Sequence, residues 1–235
     1  MSLDIPIMLR ICFVAFCLFL VCAHTEAAGE SAFIASYTDS IESFLNEKFA
    51  DGDAGMVIGL IDEHESRVFS AGKLDNDTDD RIDGDTIFSL GSVTKVCTSL
   101  LLLDSVRRGE VKPDDPVAKY LPESVRVLGH DGKSITLWNL AVQDSGLPFH
   151  AQTMVDTTDP ETGKLNLRKF KAASEAITVQ DLYAAVSTFE LTQAPGAAFQ
   201  YSNVGMALLG NAIEQRTGRG YESLVVNRVC RPLRM

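Results

Sequence analysis

The residues predict a mixed α/β (α+β) chain, and three observations carry that prediction. Ser31 to Phe49 places Phe33, Ile34, Tyr37, Ile41, Phe44, Leu45 and Phe49 at helical spacing among polar residues, the pattern of an amphipathic helix. Ala54 to Ile61 and Arg67 to Ala71 are short apolar runs on either side of the polar Asp62-Glu63-His64-Glu65-Ser66, which reads as strand, turn, strand. From residue 92 onward the signals turn helical, with capping residues, glycine stops and apolar runs too long for a strand.

The run Val96 to Leu103 follows Ser92-Val93-Thr94-Lys95 and precedes Arg107-Arg108-Gly109. We expect a buried helix there, with basic residues and then glycine closing it. Val111 to Pro122 is broken by Pro113, Pro116 and Pro122, so a loop with one short turn is expected. Ile135-Thr136-Leu137-Trp138-Asn139-Leu140 and Ile177-Thr178-Val179-Gln180-Asp181-Leu182 open alike. Each threonine fits an N-cap, and Asp181 stands where a capping box places an acid. Asp144-Ser145-Gly146-Leu147-Pro148 breaks the first of these helices. Gln152 to Lys171 is polar and reads as an exposed excursion. Ala194 to Asn203 turns at Pro195-Gly196 into a helix over Val204 to Arg216, closed by Gly218.

Chemistry enters at two places. Residues three apart on a helix share a face, so the Ser92 hydroxyl and the Lys95 amine can meet. At a helix start the unpaired N–H groups and the dipole favour an oxyanion and disfavour an ammonium, and burial pushes a lysine the same way. A serine beside a lysine that has partly lost its proton is one form of activated nucleophile. The spacing alone is weak, since chance gives about one Ser-x-x-Lys in a chain of this kind. A second copy, Ser70-Ala71-Gly72-Lys73, ends a strand-like run and leads into an acidic loop rather than a helix. Ser92 is therefore the better candidate. The second place is Tyr201-Ser202-Asn203, where an extended backbone turns residues two apart to one side. A tyrosine facing a cationic lysine is a candidate general base, and an asparagine can hold a substrate carbonyl or the lysine. Packing of a loop by a satisfied tyrosine is the plainer alternative.

The rest of the composition excludes several classes. The chain has 235 residues, 46% hydrophobic, 23% charged, with a formal net charge of −11. Nucleic acid and anionic membrane surfaces are repelled by that balance. Asp75 to Asp85 superficially suggests a calcium loop, yet Asp80 stands where glycine is needed and Thr86 where glutamate is needed. A solvated acidic loop is the expectation. No zinc spacing occurs, and His24, His64, His130 and His150 are scattered singly, as surface or supporting histidines would be. No metal and no cofactor are expected.

Residues 1–23 have the make-up of a secretory signal, with Arg10, the apolar run Ile11 to Cys22, and small residues at Ala23, Ala27 and Ala28. The run is short for a bilayer span. Cleavage after Ala23 would leave 24–235 as one domain, secreted or periplasmic, with no membrane contact beyond the signal; an uncleaved anchor is the alternative. Lipid attachment at Cys22 is the less favoured alternative, because Val21 before it is bulky. Cys97 and Cys230 would remain, and we expect two separate buried thiols rather than a disulfide.

Taken together, Phe88-Ser-Leu-Gly-Ser-Val-Thr-Lys95, Asp115-Pro-Val-Ala-Lys-Tyr-Leu-Pro122, Ser145-Gly-Leu-Pro148, Pro195-Gly196, Tyr201-Ser-Asn203 and Arg231-Pro-Leu233 resemble, in order and spacing, the serine β-lactamase-related proteins. That group includes class C β-lactamases, DD-peptidases and related esterases. The resemblance runs from about Ser31 to Met235. It implies an antiparallel sheet flanked by helices plus a helical region that carries the serine. It implies Ser92 as acylated nucleophile, Lys95 as its partner, Tyr201 as general base and Asn203 as a substrate-binding residue. The substrates it implies are β-lactams, D-amino-acid peptides of the peptidoglycan type, or small esters.

Two departures from the family pattern stand out. Val142-Gln143-Asp144 replaces a Thr-His-Thr-like run, so packing behind the site should differ. No Lys-Thr-Gly-type strand occurs, so we expect a domain incomplete at its C-terminus, with sheet strands missing. Without that strand's N–H donor and cleft wall, a non-catalytic remnant or binding module is the alternative function. A second chain completing the sheet is a further variant.

Overall fold

The computed structural model describes residues 31–50, 54–74, 80–151 and 166–235, with the side chains of 167 and 168 left aside. The signal segment, most of the polar excursion and Asp75 to Asp79 of the acidic loop lie outside them. The chain divides into two compact units, one ending at Ser89 and one starting at Leu90.

The first unit is helix α1 (Ala32–Phe49) packed on an antiparallel hairpin, β1 (Gly55–Ile61) and β2 (Ser66–Gly72), in register from Gly55 opposite Gly72 to Ile61 opposite Ser66. The Ser31 hydroxyl caps α1, accepting from the Ile34 N–H at 3.2 Å, and bonds the Asp62 carboxylate. Asp62 in turn accepts from the His64 and Glu65 N–H groups and so shapes the turn. These bonds, the Ser31 one foremost, hold its carboxyl below the usual carboxylate range. The hairpin closes on Gly72, whose φ is +93° and where a Cβ would come 2.1 Å from the Ala54 carbonyl. The apolar stripe of α1 divides: Ile34 and Leu45 are buried, whereas Phe33, Tyr37 and Phe44 stay exposed. Among the described residues the sheet has these two strands. Ser70 of the second Ser-x-x-Lys copy lies on β2, paired with Val57 of β1, and starts no helix.

The second unit is helical: α2 (Thr94–Arg107), α3 (Leu137–Ala141), α4 (Leu167–Ala176), α5 (Val179–Thr188), α6 (Asn203–Thr217), α7 (Tyr221–Val225) and α8 (Arg231–Leu233). Single 3₁₀ turns at Gly91–Val93 and Val117–Tyr120 and a π turn at Val226–Cys230 join them. Helix α6 is the spine, with Leu208, Leu209 and Ile213 fully buried against Leu101 and Leu102 of α2 and Leu137 and Leu140 of α3. Thr136 and Thr178 both cap as expected, each in a reciprocal capping box, with Asn139 and Asp181 respectively. Arg228 ties the C-terminal turns to the end of α2 through two bonds to Glu110 of 2.7 and 2.9 Å.

Three expectations are corrected. The run Val96 to Leu103 is not wholly buried: Leu101 and Leu102 face α6, while Val96, Leu100 and Leu103 are 59%, 40% and 54% exposed. A helix turns 100° per residue, so an unbroken apolar run must point part of itself outward. The polar excursion ends earlier than predicted, because Asn166 caps α4 by accepting from the Lys169 N–H at 3.0 Å. Cys97 and Cys230 are free and separate as expected, but each is half-buried rather than buried. Among the described residues no helix is long and apolar enough to cross a membrane, and no cluster of His, Cys, Asp or Glu could hold a metal ion.

Candidate active site

The site lies within the second unit. Gly91, at φ +51°, takes a left-handed conformation that few other residues accept, and so starts the 3₁₀ turn that leads into α2. That turn leaves Ser92 exposed, and Lys95 sits in the first turn of α2, half-buried. Their side chains meet: Lys95 Nζ donates to Ser92 Oγ over 3.2 Å.

Tyr201 arrives from the other side. Its hydroxyl is 2.6 Å from Ser92 Oγ, and Lys95 Nζ lies 4.7 Å from its ring centroid. The Lys95 ammonium, and then the Ser92 hydroxyl, pull the phenol below its ordinary pKa of 10. Hydroxyl, ammonium and acidified phenol thus meet at one point. A phenolate there is placed to take the Ser92 proton, and the ammonium is placed to stabilise that phenolate.

Tyr201-Ser202-Asn203 is held extended from behind, with Ser202 at φ −138° and ψ 117°. The Ser202 side chain points inward and is 1% exposed. Its hydroxyl donates to the Pro148 carbonyl at 2.7 Å and accepts from the Gly205 N–H at 2.8 Å, capping α6. Gln143 supplies the remaining ties. Its backbone carbonyl accepts from the Gln200 N–H at 2.7 Å, and its side-chain Oε1 accepts from the Ser202 N–H. Gln143 does this from φ +64°, a left-handed conformation costing about 1 kcal/mol for a residue with a Cβ. The break from the family's Thr-His-Thr-like run therefore falls on a residue that positions the tyrosine segment.

Asn203 does not join the triangle. Its N–H donates to the Phe149 carbonyl at 3.0 Å, and its Nδ2 lies 3.4 Å from His150 Nδ1. With the amide NH₂ as donor, His150 Nδ1 accepts in its Nε2-protonated tautomer. Burial and the Lys95 charge hold His150 below the ordinary 6.5, which favours that neutral ring. Phe149 packs its ring 5.5 Å from Tyr201, and Phe170 of α4 packs on His150.

The sequence therefore anticipates the meeting of Ser92, Lys95 and Tyr201, with Asn203 beside Lys95 in the same cavity wall. It misses Phe149. Gln143 is flagged there only within a departure that changes packing behind the site, and His150 only as a surface or supporting histidine; their partners, Ser202 and Asn203, lie 59 and 53 residues on and are not anticipated.

The chain is similar to several known proteins. The Beta-lactamase family profile matches residues 45–235. The D-alanyl-D-alanine-carboxypeptidase/endopeptidase AmpH of Escherichia coli K12 is 30% identical over 218 residues, covering 90% of this chain and 50% of its own length. A β-lactamase of the same organism is 28% identical over 182 residues, covering 77% of this chain and 42% of its own. Among solved structures, a D-stereospecific amidohydrolase from Streptomyces sp. superposes with a TM-score of 0.64 at 30% identity, over 83% of this chain and 54% of its own. An octameric penicillin-binding protein homologue from Pyrococcus abyssi gives 0.68 at 27% identity, over 84% and 43%. The chain spans about half the length of the curated relatives it matches. The β-lactamase/DD-peptidase-like fold of helices with a small antiparallel sheet is thereby shown, and the chain belongs to the Beta-lactamase family.

Proposed function

We propose that this chain is a serine hydrolase of the β-lactamase/DD-peptidase type that works through an acyl-enzyme on Ser92. One observation carries the reading: Ser92 Oγ is 2.6 Å from the Tyr201 hydroxyl and 3.2 Å from Lys95 Nζ. In this reading the Tyr201 phenolate takes the Ser92 proton as Oγ attacks the substrate carbonyl, and returns it to the departing group. The bond from the carbonyl carbon to that group breaks, leaving an ester on Ser92. Water, deprotonated by the same phenolate, then hydrolyses the ester and frees Ser92. Lys95 holds the phenolate charge throughout, and Asn203, kept in place by His150 and the Phe149 carbonyl, faces the acyl part of the substrate.

The substrate class is a β-lactam, a D-amino-acid peptide or a small ester. The relatives' activities, carboxypeptidase, amidohydrolase and β-lactamase, support this class, since each breaks an acyl bond of this kind. Export under the 1–23 segment, cleaved after Ala23, would bring such an enzyme to cell-wall peptides; N-terminal sequencing of the exported protein tests it, and an intact N-terminus contradicts it.

A fluorescent penicillin offers the direct test. Covalent label on the wild type and none on Ser92→Ala is the expected result. Equal label on both proteins removes Ser92 from the chemistry, and no label on a folded wild type favours a non-catalytic binding module.

A further inference from the structure

Helices α2 and α6 both begin at the candidate active site, and their far ends lie side by side about 20 Å along the helix axes. Two adjoining hollows of about 380 and 320 Å³ open at those ends, and Lys119, Tyr120 and Arg216 line both. We propose that this groove is a second binding site, separate from Ser92, that takes a phosphate group. Its binding does not depend on the hydrolase reading.

Charge in the groove runs against that of the chain, whose formal net charge is −11. Lys112, Lys119 and Arg216 line it, with the carboxylates Glu110 and Asp115. Both carboxylates are already matched. Glu110 accepts two bonds from Arg228, at 2.7 and 2.9 Å. Asp115 accepts from the Tyr120 hydroxyl, the Lys119 ammonium and the Lys112 N–H. What is left over is positive. Among the described residues the Lys112 ammonium and the Arg216 Nη groups have no acceptor, and Lys119 Nζ gives Asp115 one of its three donors. At physiological salt, charges farther off than about 8 Å are screened, so the acidic remainder of the chain does not cancel this field.

The donors are also held in advance. Arg216 Nε donates to the Glu110 carbonyl, which fixes the guanidinium plane and leaves both Nη groups for a ligand. Lys119 is fixed by Asp115 at 2.9 Å and lies 5.2 Å from the Tyr120 ring centroid. Groups ordered before a ligand arrives lose less freedom when it binds. Helix C-termini ordinarily repel anions through their last carbonyls. Here those carbonyls are occupied: Asp104, Ser105 and Val106 accept from the Arg108, Glu110 and Gly109 N–H groups, and Glu214 accepts from the Gly218 N–H. Lys112 and Lys119 come from the loop after α2, whereas Arg216 comes from α6. A phosphate, with up to two charges and several free oxygens, engages cations on both sides of the groove where a carboxylate has one charge and two oxygens.

NMR titration with inorganic phosphate, and separately with acetate, tests the site. The proteins are the wild type, Arg216→Gln, Lys112→Gln, Ser92→Ala and Lys133→Gln, the last an exposed cation outside the groove. Neither Arg216 nor Lys112 pairs with a carboxylate, so neither variant strands a charge. Phosphate should shift the Tyr120 resonances saturably, with a Kd of about 1 mM. Arg216→Gln should weaken that binding about tenfold, and Lys112→Gln should weaken it as well. Lys133→Gln and Ser92→Ala should bind as the wild type does, and acetate should bind more weakly than phosphate. No saturable shift at Tyr120, acetate binding as tight as phosphate, or unchanged affinity in folded Arg216→Gln overturns the proposal. So does an equal loss in Lys133→Gln, which would show only a general field, or a loss in Ser92→Ala, which would put the phosphate at the active site. A wild type that takes no penicillin label leaves all of these outcomes standing, so the two readings fail separately.

Discussion

Ser202 is the residue whose loss the structure prices most sharply. Ser202→Ala removes one oxygen that is 1% exposed and makes two bonds, to the Gly205 N–H and to the Pro148 carbonyl. Losing the cap of α6 costs about 1 kcal/mol. Leaving the Pro148 carbonyl without its donor costs about 1–3 kcal/mol. The sum, about 3 kcal/mol, should lower the midpoint of thermal unfolding by about 6–12 °C for a chain of this size. Ser92→Ala is the control, since its exposed hydroxyl has no buried partner and should shift stability by less than about 0.5 kcal/mol. Urea and thermal unfolding followed by circular dichroism read both. Ser202→Ala should also slow penicillin labelling at temperatures where it is fully folded, because Tyr201 and Asn203 hang from this residue. A Ser202→Ala protein as stable as the control would refute the claim that the bonds behind the tyrosine hold the site together.

Other predictions follow the same geometry. Tyr201→Phe keeps the ring on Phe149 but loses the proton acceptor, so acylation should fall by about 10²–10⁴ with little change in stability. In the wild type, acylation should rise with pH through a midpoint below 10, because Lys95 and Ser92 favour the phenolate; Lys95→Met should move that midpoint upward, and a rate independent of pH near the phenol range would count against Tyr201 as base. Asp115, held at about 2 by bonds from Tyr120, Lys119 and the Lys112 N–H, has a folded pKa below its ordinary 3.8. Its stabilisation is therefore full above 3.8 and lost as pH falls from 3.8 through about 2, and Asp115→Asn should flatten the acid side of the stability curve. Arg228→Ala strands Glu110 without its paired guanidinium and should cost about 3 kcal/mol by urea unfolding; a loss below 1 kcal/mol would show that pair to be dispensable.

What the sequence made legible were features encoded within a few residues. The Thr136 and Thr178 caps, the hairpin around Asp62 and the i,i+3 pairing of Ser92 with Lys95 each depend on a single turn of chain. Tyr201 was legible through family resemblance, because nothing near residue 201 in the chain points to residue 92. Direction was not legible: Val96 to Leu103 reads as one apolar block, and only packing on α6 decides that Leu101 and Leu102 turn inward. Nor were the long-range ties. The Gln143 amide reaches Ser202 from 59 residues away, and His150 finds Asn203 from 53. Helix α4 was hidden by its charge, since Arg168, Lys169, Lys171 and Glu175 make the segment look like loop although lysine, alanine and glutamate all favour helix.

The most direct measurement is a peptide map. After incubation of the wild-type chain with a penicillin or an aryl phosphonate, mass spectrometry should find one adduct, on the peptide that carries Ser92, and Tyr201→Phe should accumulate it far more slowly. An adduct on any other serine, Ser70 included, or one formed at the same rate without the Tyr201 hydroxyl, would contradict the account at its centre.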